Sequence, residues 1–206
     1  MPGNRSATYP RSVSYQLDTA IRVTLRCDSS ANKLYHDKVG SGVIISKKEI
    51  ITAYHVVSCV NSYGYPIREN GKLIEAHSGS RSYALRVKSV DASLDVVELS
   101  IVDDNSFYDY VPAHDTPAVP AEGDIVCSVT SWPMADRLCG RVIESDSREI
   151  RFNIPTVPGN SGSPVYDDHG VLVAIVTRYC LDSHICGGVA SNIGGPLHSW
   201  KLITDD

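Results

Sequence analysis

Three short stretches of the chain hold side chains that do chemistry when they meet. Thr52-Ala53-Tyr54-His55-Val56-Val57 places a histidine at the end of an apolar run. Ser93-Leu94-Asp95-Val96-Val97-Glu98-Leu99 places a lone aspartate at the start of one. Pro158-Gly159-Asn160-Ser161-Gly162-Ser163-Pro164 sets a serine between glycines. Taken singly, the histidine reads as a polar cap, the aspartate as a turn residue and the glycine-rich run as a loop. Together they fit nucleophilic catalysis. A serine hydroxyl attacks only when a neighbouring base takes its proton. Imidazole titrates in the range that suits that base, and a carboxylate fixes its tautomer and stabilises the imidazolium. Glycines around Ser161 permit a tight turn in which the amides of Gly159 and Ser161 converge on one point, as an oxyanion hole requires.

Such residues need rigid elements to hold them, and the composition says which kind. Of 206 residues, 23 are valine and 16 isoleucine, against 12 leucine and 2 methionine. β-Branched residues favour a pleated surface, so the chain reads as mostly β rather than as a helical bundle. Residues 21–27 alternate Ile21, Val23, Leu25 and Cys27 with Arg22, Thr24 and Arg26, a strand with one wet face. Further strands are predicted over 40–46, 49–53, 83–90, 96–102, 125–131, 138–145, 149–154, 171–177 and 188–190. Residues 61–81 are rich in turn formers, and 196–204 read as a short helix opened by Pro196. Residues 103–123 hold Pro112, Pro117 and Pro120 with little periodicity and read as a linker. The expected domains are 1–110, an amino-terminal segment with a first barrel, and 111–206, the linker with a second barrel and the helix.

Charge and hydropathy narrow the partners. The net charge of −5 leaves no excess of basic residues for a polyphosphate backbone, so no nucleic acid is expected. No apolar run approaches the roughly 20 residues that cross a bilayer, so no membrane is expected either. No signal-peptide pattern opens the chain, which predicts a cytoplasmic protein, or a secreted one whose leader has been cut. On that basis the six cysteines are expected as free thiols, although an even count permits three disulfides. Cys127 and Cys139 flank a Trp132-Pro133 turn and could face each other across a hairpin, or be two small buried hydrophobes. Cys27 and Cys59 have no assignable partner. Cys180, His184 and Cys186 lack an obvious fourth ligand for zinc, so they read first as free thiols, then as a Cys180–Cys186 disulfide, and last as a metal site. No metal or cofactor is expected.

The motifs GSGVIIS, TAYHVV, SLDVVELSI and GNSGSPV, in the order His, Asp, Ser, resemble those of trypsin/chymotrypsin-fold serine peptidases, most closely the HtrA/Deg and glutamyl-endopeptidase branch. The spacing is 40 residues from His55 to Asp95 and 66 from there to Ser161. The resemblance implies an all-β fold of two six-stranded antiparallel β-barrels with the site between them. His55 and Asp95 would come from the first barrel and Ser161 from the second. It implies an oxyanion hole at Gly159 and Ser161, and a substrate pocket walled by Pro155, Thr156, Val176, Thr177, Arg178, Tyr179 and Gly188. Thr177 would hydrogen-bond Asp95 from behind. Asp91 is the alternative acid, but the apolar strand begins after Asp95.

Departures from the family shape the expectation. Pro155 stands where trypsin-like members carry an acidic pocket base, and Val176 where glutamyl endopeptidases carry histidine, although Thr156 matches their threonine. An unpaired charge is costly to bury, so a small or medium apolar P1 residue is expected. Asn160 replaces the aspartate that receives a new amino-terminus in digestive members, so activation of that kind is not expected. The disulfide beside the catalytic histidine is absent, with Ser41 and Val56 at the nearest positions. From a chain of 206 residues no carboxyl-terminal PDZ domain is expected. The expected function is a serine endopeptidase acting on protein or peptide substrates, its oligomeric state open. The alternatives are a catalytically silent binding protein of the same fold and a viral-type self-processing protease.

Overall fold

Alternation in sequence becomes burial in space. In β1 (Ala20–Arg26) Ile21, Val23 and Leu25 are buried and the residues between them face outward. The computed structural model describes residues 17–26, 38–59, 73–111, 117–131, 135–179 and 187–193. The remaining strands are β2 (Lys38–Ile44), β3 (Glu49–Ala53), β4 (Leu73–Ser78), β5 (Arg81–Asp91) and β6 (Val96–Ile101), then β7 (Ile125–Thr130), β8 (Asp136–Ser145), β9 (Glu149–Phe152), β10 (Pro164–Asp167), β11 (Leu172–Tyr179) and β12 (Gly188–Asn192). A single 3₁₀ turn, Tyr54–Val56, follows β3.

The strands close into two antiparallel barrels of six, as the motif resemblance implies. The first runs β1-β2-β3-β6-β5-β4, and the second repeats that order as β7-β8-β9-β12-β11-β10. Each barrel has its own core. Ile50, Leu99 and Ile74 lie in the first, and Phe152, Ile150 and Val165 in the second. A third cluster joins the two, with Val43, Ile51 and Val96 from the first barrel against Val129, Tyr166 and Ile175 from the second. Burying a side chain of this size contributes roughly 1.5–3 kcal/mol, so the seam between the barrels is itself a core.

Two strands lie where none is predicted. β4 occupies part of the turn-rich stretch, and its inward face is only Ile74 and Ala76. A strand with so small an apolar face is fixed by its neighbours β1 and β5 rather than by its own pattern. β10 begins at Pro164, a residue tolerated at a strand's first position because its missing N–H is not needed there. The predicted linker is laced to the first barrel over its first half. The Phe107 amide donates to the Lys47 carbonyl at 2.9 Å and the Val111 amide to that of Ile44 at 2.8 Å, with both side chains buried. The predicted helix at 196–204 and the Trp132-Pro133 turn lie outside the described residues.

The expectation of free thiols is overturned among the described cysteines. Cys127 and Cys139 are bonded to each other, and Cys59 is also in a disulfide. The first pair follows from register: Cys127 of β7 stands directly opposite Cys139 of β8, with Cα atoms 4.0 Å apart. Directly opposed side chains of that kind are close enough to bridge. Cys180, His184 and Cys186 lie outside the described residues, as does Cys27.

Candidate active site

Pairing of two strands brings the histidine and the aspartate together. Ala53, the last residue of β3, pairs with Val96, the first of β6. The 3₁₀ turn after β3 therefore meets the turn before β6. His55 Nδ1 lies 2.6 Å from Asp95 Oδ2, and the His55 amide donates to Asp95 Oδ1 at 2.8 Å. The Tyr54 amide donates to the Asp95 carbonyl at 2.8 Å. An ionised carboxylate only accepts, so Nδ1 carries the proton of a neutral ring and Nε2 is left as its acceptor. Asp95 has φ 56°, and among the described residues it alone is a non-glycine at positive φ. Aspartate tolerates that region better than most residues, and such positions concentrate at functional sites. Asp91, the alternative acid, instead accepts from the Ser93 amide and hydroxyl at 3.0 and 2.7 Å and from the Leu94 amide at 3.2 Å, closing its own turn.

Ser161 comes from a loop braced from three sides. Gly159 and Gly162 have φ 100° and 86°. From within the loop, Asn160 Oδ1 accepts from the Val157 amide at 2.8 Å, and the Asn160 amide donates to the Val157 carbonyl at 3.0 Å. From the first barrel, the Ser41 amide donates to the Ser161 carbonyl at 2.7 Å and the Ser41 hydroxyl to the Gly159 carbonyl at 3.2 Å. From β11, Val176 accepts from the Gly162 amide at 2.7 Å and donates to the Ser163 carbonyl at 2.9 Å. Gly162 is the tight point, since a Cβ there would fall 1.8 Å from the Ser41 carbonyl oxygen. Among the described residues the amides of Gly159 and Ser161 have no acceptor, and the Ser161 hydroxyl makes no hydrogen bond.

His55, Gly159 and Ser161 line one open cavity of about 300 Å³. Of the predicted pocket residues, Thr156, Arg178 and Tyr179 line it with them. The other four do not. Pro155 is exposed, and Val176 is buried behind the Ser161 loop. Gly188 stands behind Thr156, where a Cβ would lie 2.3 Å from Thr156 Oγ1. Thr177 is buried with its hydroxyl 3.5 Å from that of Ser191, so its hydrogen bond to Asp95 is not made. The cause is a bulge in β11: Val176 pairs with Ala190 and Arg178 with Val189, leaving Thr177 between them out of register.

Lys38 and Val39, at the start of β2, also line the cavity, and no motif points to them. Lys38 Nζ donates to the carbonyls of His55 at 2.9 Å and Ser58 at 2.6 Å. Burial holds the Lys38 pKa below the usual lysine value, with the Asp95 charge opposing that shift. A lysine 17 residues before His55 carries no signal in spacing or type. Across the cavity the Arg178 guanidinium is paired with Glu149.

Asp167, Asp168 and His169 cluster at the β10–β11 turn. Asp167 Oδ1 accepts from the amides of His169 at 3.0 Å and Val171 at 2.8 Å, so this carboxylate shapes the turn.

The fold and the motifs define a class. The trypsin-like peptidase domain family matches the chain over residues 40–175, and the chain belongs to that family. Comparison with curated proteins finds no match. Solved structures of similar fold include the MamO protease domain from Magnetospirillum magneticum in its apo form, with a TM-score of 0.65 at 15% identity, covering 91% of this chain and 98% of that one. The inactive form of the Rv3671c protease gives 0.65 at 16% identity, covering 97% and 98%. The serine endoprotease from Yersinia pestis gives 0.63 at 22% identity, covering 96% and 69%.

Proposed function

We propose that the protein is a serine endopeptidase in which Ser161 is the nucleophile, His55 the base and Asp95 the group that orients it. The observation that carries this reading is the two-point contact of Asp95 with the ring and amide of His55, in the same cleft as Ser161. In the reaction, Ser161 Oγ attacks the carbonyl carbon of the scissile bond and its proton passes to His55 Nε2. The amides of Gly159 and Ser161 hold the oxyanion. The tetrahedral intermediate then collapses, and the leaving amine takes the proton from His55. Water hydrolyses the acyl-enzyme with His55 again as base.

The cavity favours a small or medium apolar P1 side chain. Thr156, Val157 and Pro158 form part of its wall, and the charged groups there are already engaged, Lys38 by two carbonyls and Arg178 by Glu149. No acid lines the cavity among the described residues, so a basic P1 side chain would lie unpaired. Asn160 is neutral and its carboxamide already braces Val157, so an amino-terminal ammonium would gain no charge partner there. Protein carrying a tag before Met1 should therefore match tag-free protein in specific activity at equal active-site titre. Activity that appears only after tag removal would contradict this. The disulfides favour the secreted alternative, and an oxidising compartment, over the cytoplasm.

The absence of a Ser161–His55 hydrogen bond among the described residues favours a second reading, a silent binding protein. Catalytic hydrogen bonds are often long before substrate arrives, so a direct test is needed. A fluorophosphonate probe should form one adduct per chain, located by peptide mass spectrometry on Ser161. A folded protein that forms no adduct would establish the silent reading.

A further inference from the structure

The geometry points to Lys38 as a positioning residue for His55: we infer that its ammonium clamps the turn carrying the histidine to β2. The inference rests on the proposed triad and names a part of it that the motifs omit. A 3₁₀ turn ends with backbone carbonyls that have no partner of their own. Here the carbonyl of His55, within the turn, and that of Ser58, two residues beyond it, converge on Lys38 Nζ at 2.9 and 2.6 Å, and the His55 carbonyl also accepts from the Ser58 hydroxyl at 3.3 Å. Holding that ammonium in a half-buried place has a cost, visible in the lowered pKa. Two charge-assisted hydrogen bonds offset it.

The same strand reaches the nucleophile. Three residues along β2 from Lys38, the Ser41 amide donates to the Ser161 carbonyl at 2.7 Å. A Cβ on the intervening Gly40 would come 2.8 Å from that same oxygen, so nucleophile loop and strand are in direct contact. β2 thus holds the base at its first residue and the nucleophile loop at its middle, and its fixed rise sets the distance between them. Asp95 orients the imidazole. Lys38 sets where the turn beneath that imidazole stands.

The test compares Lys38→Met, which keeps the aliphatic stem, with Lys38→Arg, which keeps the charge. In Lys38→Met we expect kcat to fall about 10- to 100-fold, as for small displacements of a catalytic group, with KM changed less than about threefold. Labelling by the fluorophosphonate should slow in parallel. Lys38→Arg should recover most of the loss. A kcat within about threefold of the parent, a change confined to KM, or an arginine variant no better than methionine would each overturn the clamp. A second measurement does not depend on turnover. In Ser161→Ala protein the His55 Nδ1 proton bonded to Asp95 should give a downfield NMR signal, and adding Lys38→Met should broaden or remove it while the amide spectrum stays folded. An unchanged signal would refute the inference. An unlabelled parent would instead refute the proposed function and leave this measurement to decide the role of Lys38.

Discussion

At the end of β3 Ala53 pairs with Val96, and at the end of β9 Phe152 pairs with Gly188, the same corner in each of two barrels wound in the same order. In the first barrel this corner holds His55 against Asp95. In the second it holds Thr156 against a glycine whose missing side chain makes room for it. Ser161 arises elsewhere, just before β10, the counterpart of β4. The first barrel presents its polar pair from strand ends that a ladder already fixes. The second presents its serine from a loop that needs outside braces, including Ser41 of the first barrel. Identical topology therefore leaves the choice of chemistry to the residues that follow each strand, and a loop-borne group depends on the other barrel in a way that a strand-end group does not.

The largest effect expected is from the loop. Ser161→Ala should lower kcat/KM by about 10⁴- to 10⁶-fold, the range that loss of a triad nucleophile produces, with an unchanged urea midpoint. A variant within tenfold of the parent would remove Ser161 from the mechanism. Next is the strand-end partner. Asp95→Asn keeps a residue suited to φ 56° but loses the carboxylate, and should lower kcat by about 10⁴-fold. A small change there would break the contrast, since the first barrel would then owe nothing to its fixed pair.

The third effect sharpens the contrast in stability. Only the second barrel has a described pair of cross-strand cysteines, and Cys127→Ser with Cys139→Ser should cost about 3 kcal/mol in urea unfolding. Activity at low denaturant should stay within about twofold, because the staple lies on β7 and β8 and not at the cleft.

The smallest is a pH effect in the first barrel. The His77 ring joins β1 to β5, with Nε2 2.9 Å from Thr24 Oγ1 and Nδ1 2.9 Å from Ser82 Oγ. Burial, then the Arg22 charge, lower its pKa, with Glu75 opposing. Above the unfolded value of about 6.5 both states are neutral and this contribution is complete. As pH falls below that value the unfolded chain takes the proton first, and stability is lost. His77→Gln should flatten the fall of Tm between about pH 6.5 and the lowered folded value. An identical slope in the variant would count against the effect.

The proposed triad was legible because its chemistry demands fixed residue types in distinctive company. GNSGSP, and aspartate and histidine beside apolar strands, leave few other readings in that order. Barrel strands with strong alternation, such as β1, were legible for the same reason. What failed depended on neighbours rather than on pattern. Thr177 has the right type and position in sequence, but a bulge turns it to Ser191. β4 is held by β1 and β5 despite a thin apolar face, and Cys127 meets Cys139 only through the β7–β8 register. Lys38 acts through carbonyls that any sequence would provide.

The cluster between the barrels has a bearing on how the molecule would respond to heat. Val96, beside Asp95, and Ile51, beside the Thr52 that donates to the Ser41 carbonyl at 2.6 Å, are both fully buried in that cluster. The supports of the cleft and the seam between the halves are thus one body of contacts. Heating that parts these shared side chains would disturb the cleft and the seam in one event. Opening of the seam on heating should therefore end activity in the same step.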